Sequence, residues 1–256
     1  MFAIYKKELR SYFINPIGYL FVGVFLAVAA LLCCYTTLKA NTYNTSSYFS
    51  FLIMAFVILI PLLTMRLFAE ERKLRTEQLL MTAPVSITSV VLGKYLAAFT
   101  VFMGALLVSC VNFIPLYVIA DRERAGEAYS ELNIGPVTSE IVGSLIGIIL
   151  IGAAFIAIGM FISSLTEDHL AAAIGTIGII LFMVIMGFVN SMTDAEGNQI
   201  ISNYALRFVI DWISVMSRFY NFGYGIFDFA ALLYYLSLAG VFIFLSVRVY
   251  DKRRWG

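Results

Sequence analysis

Six runs of this chain are apolar for about the length of a bilayer-crossing helix, and that pattern excludes nearly every other fold. They are Ile17 to Leu38, Phe51 to Leu67, Leu92 to Ile119, Ile141 to Ile162, Leu170 to Val189 and Phe229 to Tyr250. Crossing the hydrocarbon core takes about 20 residues of helix. Backbone groups find no water there and must bond within their own segment, so each run predicts a helix. The second run reaches spanning length only when extended back toward Tyr48, to about residues 49–67. The third, 92–119, is long enough to tilt or to bend at Pro115. Hydrophobic residues make up 61% of the 256 and charged residues 13%, where a soluble domain runs near half and a quarter. The longest stretch between runs is roughly forty residues, too few for an independent core. Residues 1–256 are therefore expected to form one polytopic, all-α membrane domain.

Residues 1–15 read as a helix lying in the membrane interface. Phe2, Tyr5, Leu9 and Tyr12 recur at helical spacing, Lys6, Lys7 and Arg10 fall opposite, and Asn15-Pro16 stops the helix. No small-residue cleavage pattern follows the first run, which argues against a signal peptide. With the N-terminus placed in the cytoplasm, twelve of the seventeen Lys and Arg fall on cytoplasmic segments and five outside, the bias expected of membrane proteins. Both termini are then cytoplasmic. Asn112 is the most polar residue at mid-span depth, and the lack of an ionisable residue there counts against an ion-coupled carrier.

Gly93-Lys94 lacks the rest of a phosphate-binding loop, and the lone serines and threonines of the spans have no base beside them. The chain is therefore expected to supply neither a nucleotide site nor a catalytic group. Cys33, Cys34 and Cys110 read as packing residues, and the single histidine, His169, has no companion for a metal. No nucleic-acid partner is expected. Gly143, Gly147, Gly152 and Gly159 in the fourth run, with Gly175, Gly178 and Gly187 in the fifth, predict a close pairing of those two helices.

Arg66 to Lys94 is the one long, densely charged segment between two apolar runs. Glu70, Glu71, Arg72, Lys73, Arg75 and Glu77 fall within eight residues, with Glu71–Arg75 and Lys73–Glu77 as i,i+4 pairs. Leu74, Leu79, Leu80 and Met81 gather on the other side, so a surface helix over 70–81 is predicted, closed by Pro84. Such a helix suits a membrane surface or a partner's groove, or is a solvated loop.

The motif E-E-R-x-x-x-T-x-x-L-L-x-x-P-V, at Glu70, Glu71, Arg72, Thr76, Leu79, Leu80, Pro84 and Val85, is followed by L-G-K at Leu92 to Lys94. It resembles the first cytoplasmic loop of ABC-2 type transporter permeases. K-x-E-L-x-x-Y-F-x-x-P-x-G-Y, Lys6 to Tyr19, resembles the start of the same permeases. Many relatives carry Gly directly before the Thr, where this chain has Arg75. The resemblance implies that Glu70, Glu71, Arg72, Thr76, Glu77, Leu80 and Pro84 form a coupling helix that docks on a separate ATP-binding subunit. That subunit would hold ATP and Mg, with no cofactor on this chain. The resemblance also implies a second permease copy or paralogue, contact with membrane lipid, and residence in the bacterial cytoplasmic (inner) membrane. In the loop Ser163 to His169 it implies a smaller second contact at Thr166, Glu167 and Asp168, which as residues alone read equally well as a plain turn.

Before the last run, Asp211 to Asp228 crowds Trp212, Phe219, Tyr220, Phe222, Tyr224 and Phe227 around Gly223 and Gly225. Aromatic density of this kind suits the headgroup interface, and the glycines permit a re-entrant turn. Trp212, Gly223, Gly225 and Asp228 are its candidate residues. The segment resembles the gliding-motility and nitrous-oxide-reductase maturation branches of ABC-2 permeases. The expected function is the membrane-spanning permease subunit of an ATP-driven transporter. The alternative is a non-transporting membrane scaffold or receptor that recruits a cytoplasmic partner through helix 70–81.

Overall fold

The computed structural model describes residues 1–40, 42–75, 85–126, 135–191 and 203–255, and every regular element among them is helical. In chain order these are α1 (Phe2–Ile14), α2 (Pro16–Cys33), α3 (Ser46–Thr64), α4 (Ala69–Lys73), α5 (Ile87–Ser109), α6 (Ile114–Gly126), α7 (Thr138–Leu165), α8 (His169–Ser191), α9 (Tyr204–Ile213), α10 (Val215–Gly223) and α11 (Phe229–Trp255). Among the described residues six helical segments are long and apolar enough to cross a membrane: Pro16–Leu38, Ser46–Lys73, Ile87–Arg122, Thr138–Leu165, His169–Val189 and Phe229–Arg254.

Local chemistry explains where the helices break. Pro16 opens α2, where its missing N–H costs nothing, and holds Asn15 extended at φ −81°, ψ 144°. That elbow folds α1 back on the bundle so tightly that a Cβ on Gly18 would lie closer than 3.0 Å to the Tyr12 backbone. The third span does break ahead of Pro115. With no proline N–H to reach it, the Val111 carbonyl accepts from Ile114 N–H in a 3-10 turn over Cys110–Phe113. At the end of α2 a π turn spans Cys34–Leu38, where Thr36 and Thr37 donate back to the carbonyls of Leu32 and Cys33.

The centre of the bundle is α7, whose residues 151–160 are all buried. It packs against α3, α5, α8, α10 and α11. Its glycines set those approaches. Added Cβ atoms would come closer than 3.0 Å to Thr64 of α3 at Gly159, to the Phe102 ring of α5 at Gly152, and to Phe219 and Phe222 of α10 at Gly147 and Gly143. The glycine stripe therefore admits the second and third spans and α10. Its expected role in pairing the fourth and fifth spans is corrected: only Gly175, 3.0 Å from Ile162, makes that approach, while Gly187 accommodates Ser214 and Met216.

Both termini lie at one end of the bundle. There α1 packs across α5, and Tyr250 of α11 sets its ring 4.5 Å from that of Phe68 just before α4. At the opposite end, α9 and α10 meet at Ser214, whose hydroxyl accepts from Ser217 N–H as an N-cap. Tyr234 and Tyr235, more than a turn inside α11, donate to the carbonyls of Ile213 and Val215 on either side of that bend.

Candidate docking face

The charged segment emerges from α3 and turns at once. Met65 and Leu67 close the last turn, and α4 follows for five residues, too few to be stable alone. Tertiary contacts hold it. Ser163, fully buried in α7, accepts from the backbone N–H of Phe68 and Ala69 at 3.1 and 3.2 Å and donates to Met65 O at 3.2 Å. This hydroxyl on a distant helix serves as the N-terminal cap that α4 lacks within its own sequence.

The charges of α4 point three ways. Glu70 pairs back to Arg66. Arg72 reaches across to Glu167 at 2.7 Å, which joins α4 to the loop between α7 and α8. Glu71 turns inward to Lys94 of α5 at 2.9 Å, and Lys94 also contacts Glu8 of α1 at 3.3 Å and donates to Leu67 O at 2.8 Å. Lys94 is only 2% exposed, and its ammonium sits 5.2 Å from the centre of the Phe68 ring.

Two expectations need correction here. The helix anticipated over 70–81 stops at Lys73: Leu74 caps it and Arg75 takes φ +55°, the left-handed region that favours glycine. Arg75 thus lies beyond the helix end, and Glu71 pairs with Lys94 in place of Arg75. The residue type that many relatives carry at this position is the one its backbone favours. Thr76, Glu77, Leu80 and Pro84 lie outside the described residues.

Exposed at the tip of this end are Lys73, Leu74 and Arg75 on one side and Leu165, Glu167 and Asp168 on the other, joined by the Arg72–Glu167 bridge. Leu74 and Leu165 are 65% and 47% exposed. Thr166 is half-buried and donates to Ile162 O. The face is a charged rim around two apolar side chains, built from both of the loops singled out in the sequence.

The ABC-2 family transporter model matches residues 35–247. This chain belongs to the ABC-2 transporter family. Family and helix pattern together make it a transmembrane ABC transporter permease, a membrane component of a transport system. No curated protein sequence matches the chain.

In this permease Lys94 and Glu8 stand inside the two quoted motifs, but their meeting is not among the expectations drawn from the sequence. The signals were present. Lys94 falls two turns inside α5, where a cation demands a partner. Glu8 lies between Tyr5, Leu9 and Tyr12 on the inward face of α1. Tyr12 itself donates to Leu63 O, and burial pushes its phenol far above the usual range.

At the far end of the permease, Trp212 is 62% exposed on α9 and Gly223 closes α10, its carbonyl accepting from Ser46. Gly225 takes φ +72° in the turn that follows. Asp228 accepts from Asn221 at 2.8 Å and from the N–H groups of Ala230 and Ala231 at the start of α11, and these bonds, Asn221's first, lower its pKa. Among the described residues no group of three His, Cys, Asp or Glu could hold a metal.

Proposed function

We propose that this permease is the membrane-spanning subunit of an ATP-driven transporter whose ATP-binding subunit, carrying ATP and Mg, docks on the face formed by α4 and the 166–168 loop. The observation that carries the reading is the Arg72–Glu167 bridge, which makes one surface of two loops 95 positions apart. The exposed Lys73, Leu74 and Arg75 then supply the contact, and Glu70 and Glu71 orient α4 from behind. On this reading the end with both termini is cytoplasmic, α1 lies in the inner-membrane interface, and a second copy or paralogue completes the pathway. The bend at Ser214 is re-entrant: Ile213 and Val215 are held by tyrosines inside α11, and Met216 fills the space at Gly187. The aromatic segment Asp211 to Asp228 supports placing the chain near the gliding-motility and nitrous-oxide-reductase maturation branches.

The test is affinity purification of the intact protein in detergent. An ATP-hydrolysing subunit is expected to be retained by the native chain and by Tyr224→Asp at the far end, and lost from Leu74→Asp. Equal retention by Leu74→Asp would remove this face as the docking site.

A further inference from the structure

Three helices that share no local sequence each contribute one charge to a single buried point: Glu8 from α1, Glu71 from α4 and Lys94 from α5. The Lys94 ammonium donates to the carbonyl of Leu67 and lies within ion-pair distance of both Glu71 and Glu8. The two glutamates are themselves only 13% and 14% exposed, so the pairs are little screened by water. Lys7 lies 3.7 and 4.0 Å from the same carboxylates but is 66% exposed and adds little. Elsewhere along their extensive contact α1 meets α5 without charge, for example at Ile4 against Gly93 and Tyr5 to Thr100. The one described ion pair that runs directly from α1 to α4, Lys7 to Glu71, starts from that exposed ammonium, so the nearly inaccessible link between the two helices passes through Lys94.

We infer that Lys94 is the positioning residue of the permease's docking helix, an electrostatic pin that clamps α4 onto the N-terminal helix. Without its charge, two largely enclosed carboxylates on different helices face each other across one site and repel. With it, a push on α4 is delivered to α1 and to the third span together. The inference takes the docking role of α4 from the reading above. The pin itself is a property of the membrane chain alone.

The experiment places spin labels at Lys6 and Lys73, both exposed, in the full-length chain with its three native cysteines replaced, and reads their short-range dipolar coupling. A second pair, at Ser47 and Tyr224 on the far end, reports that the fold is intact. Lys94→Met is expected to abolish the Lys6–Lys73 coupling and leave the far pair unchanged. The neutral triple variant, Glu8→Gln with Glu71→Gln and Lys94→Met, should restore coupling, because the repulsion is gone. Coupling that persists in Lys94→Met overturns the pin, and so does a triple variant as uncoupled as the single, since the lysine stem would then be only packing. Should Lys94→Met disturb the far pair too, Glu8→Met decides: it keeps Lys94–Glu71 and should weaken the Lys6–Lys73 coupling alone, and unchanged coupling rejects the link to α1. ATPase retention plays no part in this readout, so the pin and the docking face fail separately.

Discussion

Ser163→Ala removes one buried oxygen from the last turn of α7 and should loosen the helix that it caps. In the native chain that oxygen accepts from two backbone N–H groups, of Phe68 and Ala69, both in fully buried residues. Nothing in α4's own sequence replaces it, because the position before the helix is Phe68. A stranded buried donor costs about 1–3 kcal/mol. Two donors sharing one acceptor at 3.1 and 3.2 Å place the expected loss at about 2 kcal/mol, roughly a 30-fold rise in the population with α4 detached. The assay is hydrogen exchange of the full-length protein in detergent, followed on peptides covering residues 66–73. Exchange at Phe68 and Ala69 should accelerate by that factor, while the interior of α7 keeps its protection. Ser163→Cys, with a weakly accepting thiol, should fall between. Unchanged exchange in Ser163→Ala, with α7 still protected, would mean that the hydroxyl does not hold α4.

Three further outcomes follow from the same geometry. Gly159→Ala places a methyl against Thr64, itself bonded to Ile60 O, and should destabilise by about 1–3 kcal/mol in thermal unfolding; Gly178→Ala, with nothing within 4 Å, should not, and equal midpoints for the two would refute the packing argument. Arg75→Gly relieves a left-handed backbone worth about 1–2 kcal/mol and should slow exchange at Leu74 and Arg75, whereas faster exchange would show that the arginine side chain outweighs the strain. Asp228 has a lowered folded pKa, so its contribution is present above the ordinary aspartate range and is lost as pH falls through the folded value. Protection of the Ala230 and Ala231 amides, corrected for intrinsic exchange, should drop only in that acid window, and a matching drop in Asp228→Ala would exclude the carboxylate as its cause.

The spans were legible because the bilayer imposes a length and a hydrogen-bonding rule that few sequences meet by chance. The break ahead of Pro115 was legible for the same kind of reason, a missing donor. The place of α7 at the centre was not. Lipid tails are as apolar as leucine, so a helix that faces lipid and one that faces five other helices show the same hydropathy. The glycines carried partial information: each marks a close approach, but a missing Cβ does not say whose. Gly143 and Gly147 look like a seam for another span, and they receive Phe222 and Phe219 of a helix that is not a spanning segment.

Charge was the least legible, because sequence pairs charges by proximity along a helix and the fold pairs them by burial. Glu71 and Arg75 are four apart, yet α4 ends between them, and the lysine that Glu71 finds is 23 positions on and nearly inaccessible. An exposed pair would contribute about 0–1 kcal/mol, whereas breaking a buried pair typically costs 3–5 kcal/mol. Selection of the buried partner is therefore the expected outcome once both residues reach the same depth. The consequence reaches the docking face. With Glu71 directed inward and Glu70 paired to Arg66, the described α4 side of the face is basic and apolar, at Lys73, Arg75 and Leu74, and the side across the Arg72–Glu167 bridge is acidic, at Glu167 and Asp168. On the docking reading proposed above, a partner would present acidic groups and an apolar recess to the α4 side and basic groups to Glu167 and Asp168. Loss of that partner on Glu71→Ala would then report a displaced helix, and loss on Leu74→Asp a broken contact.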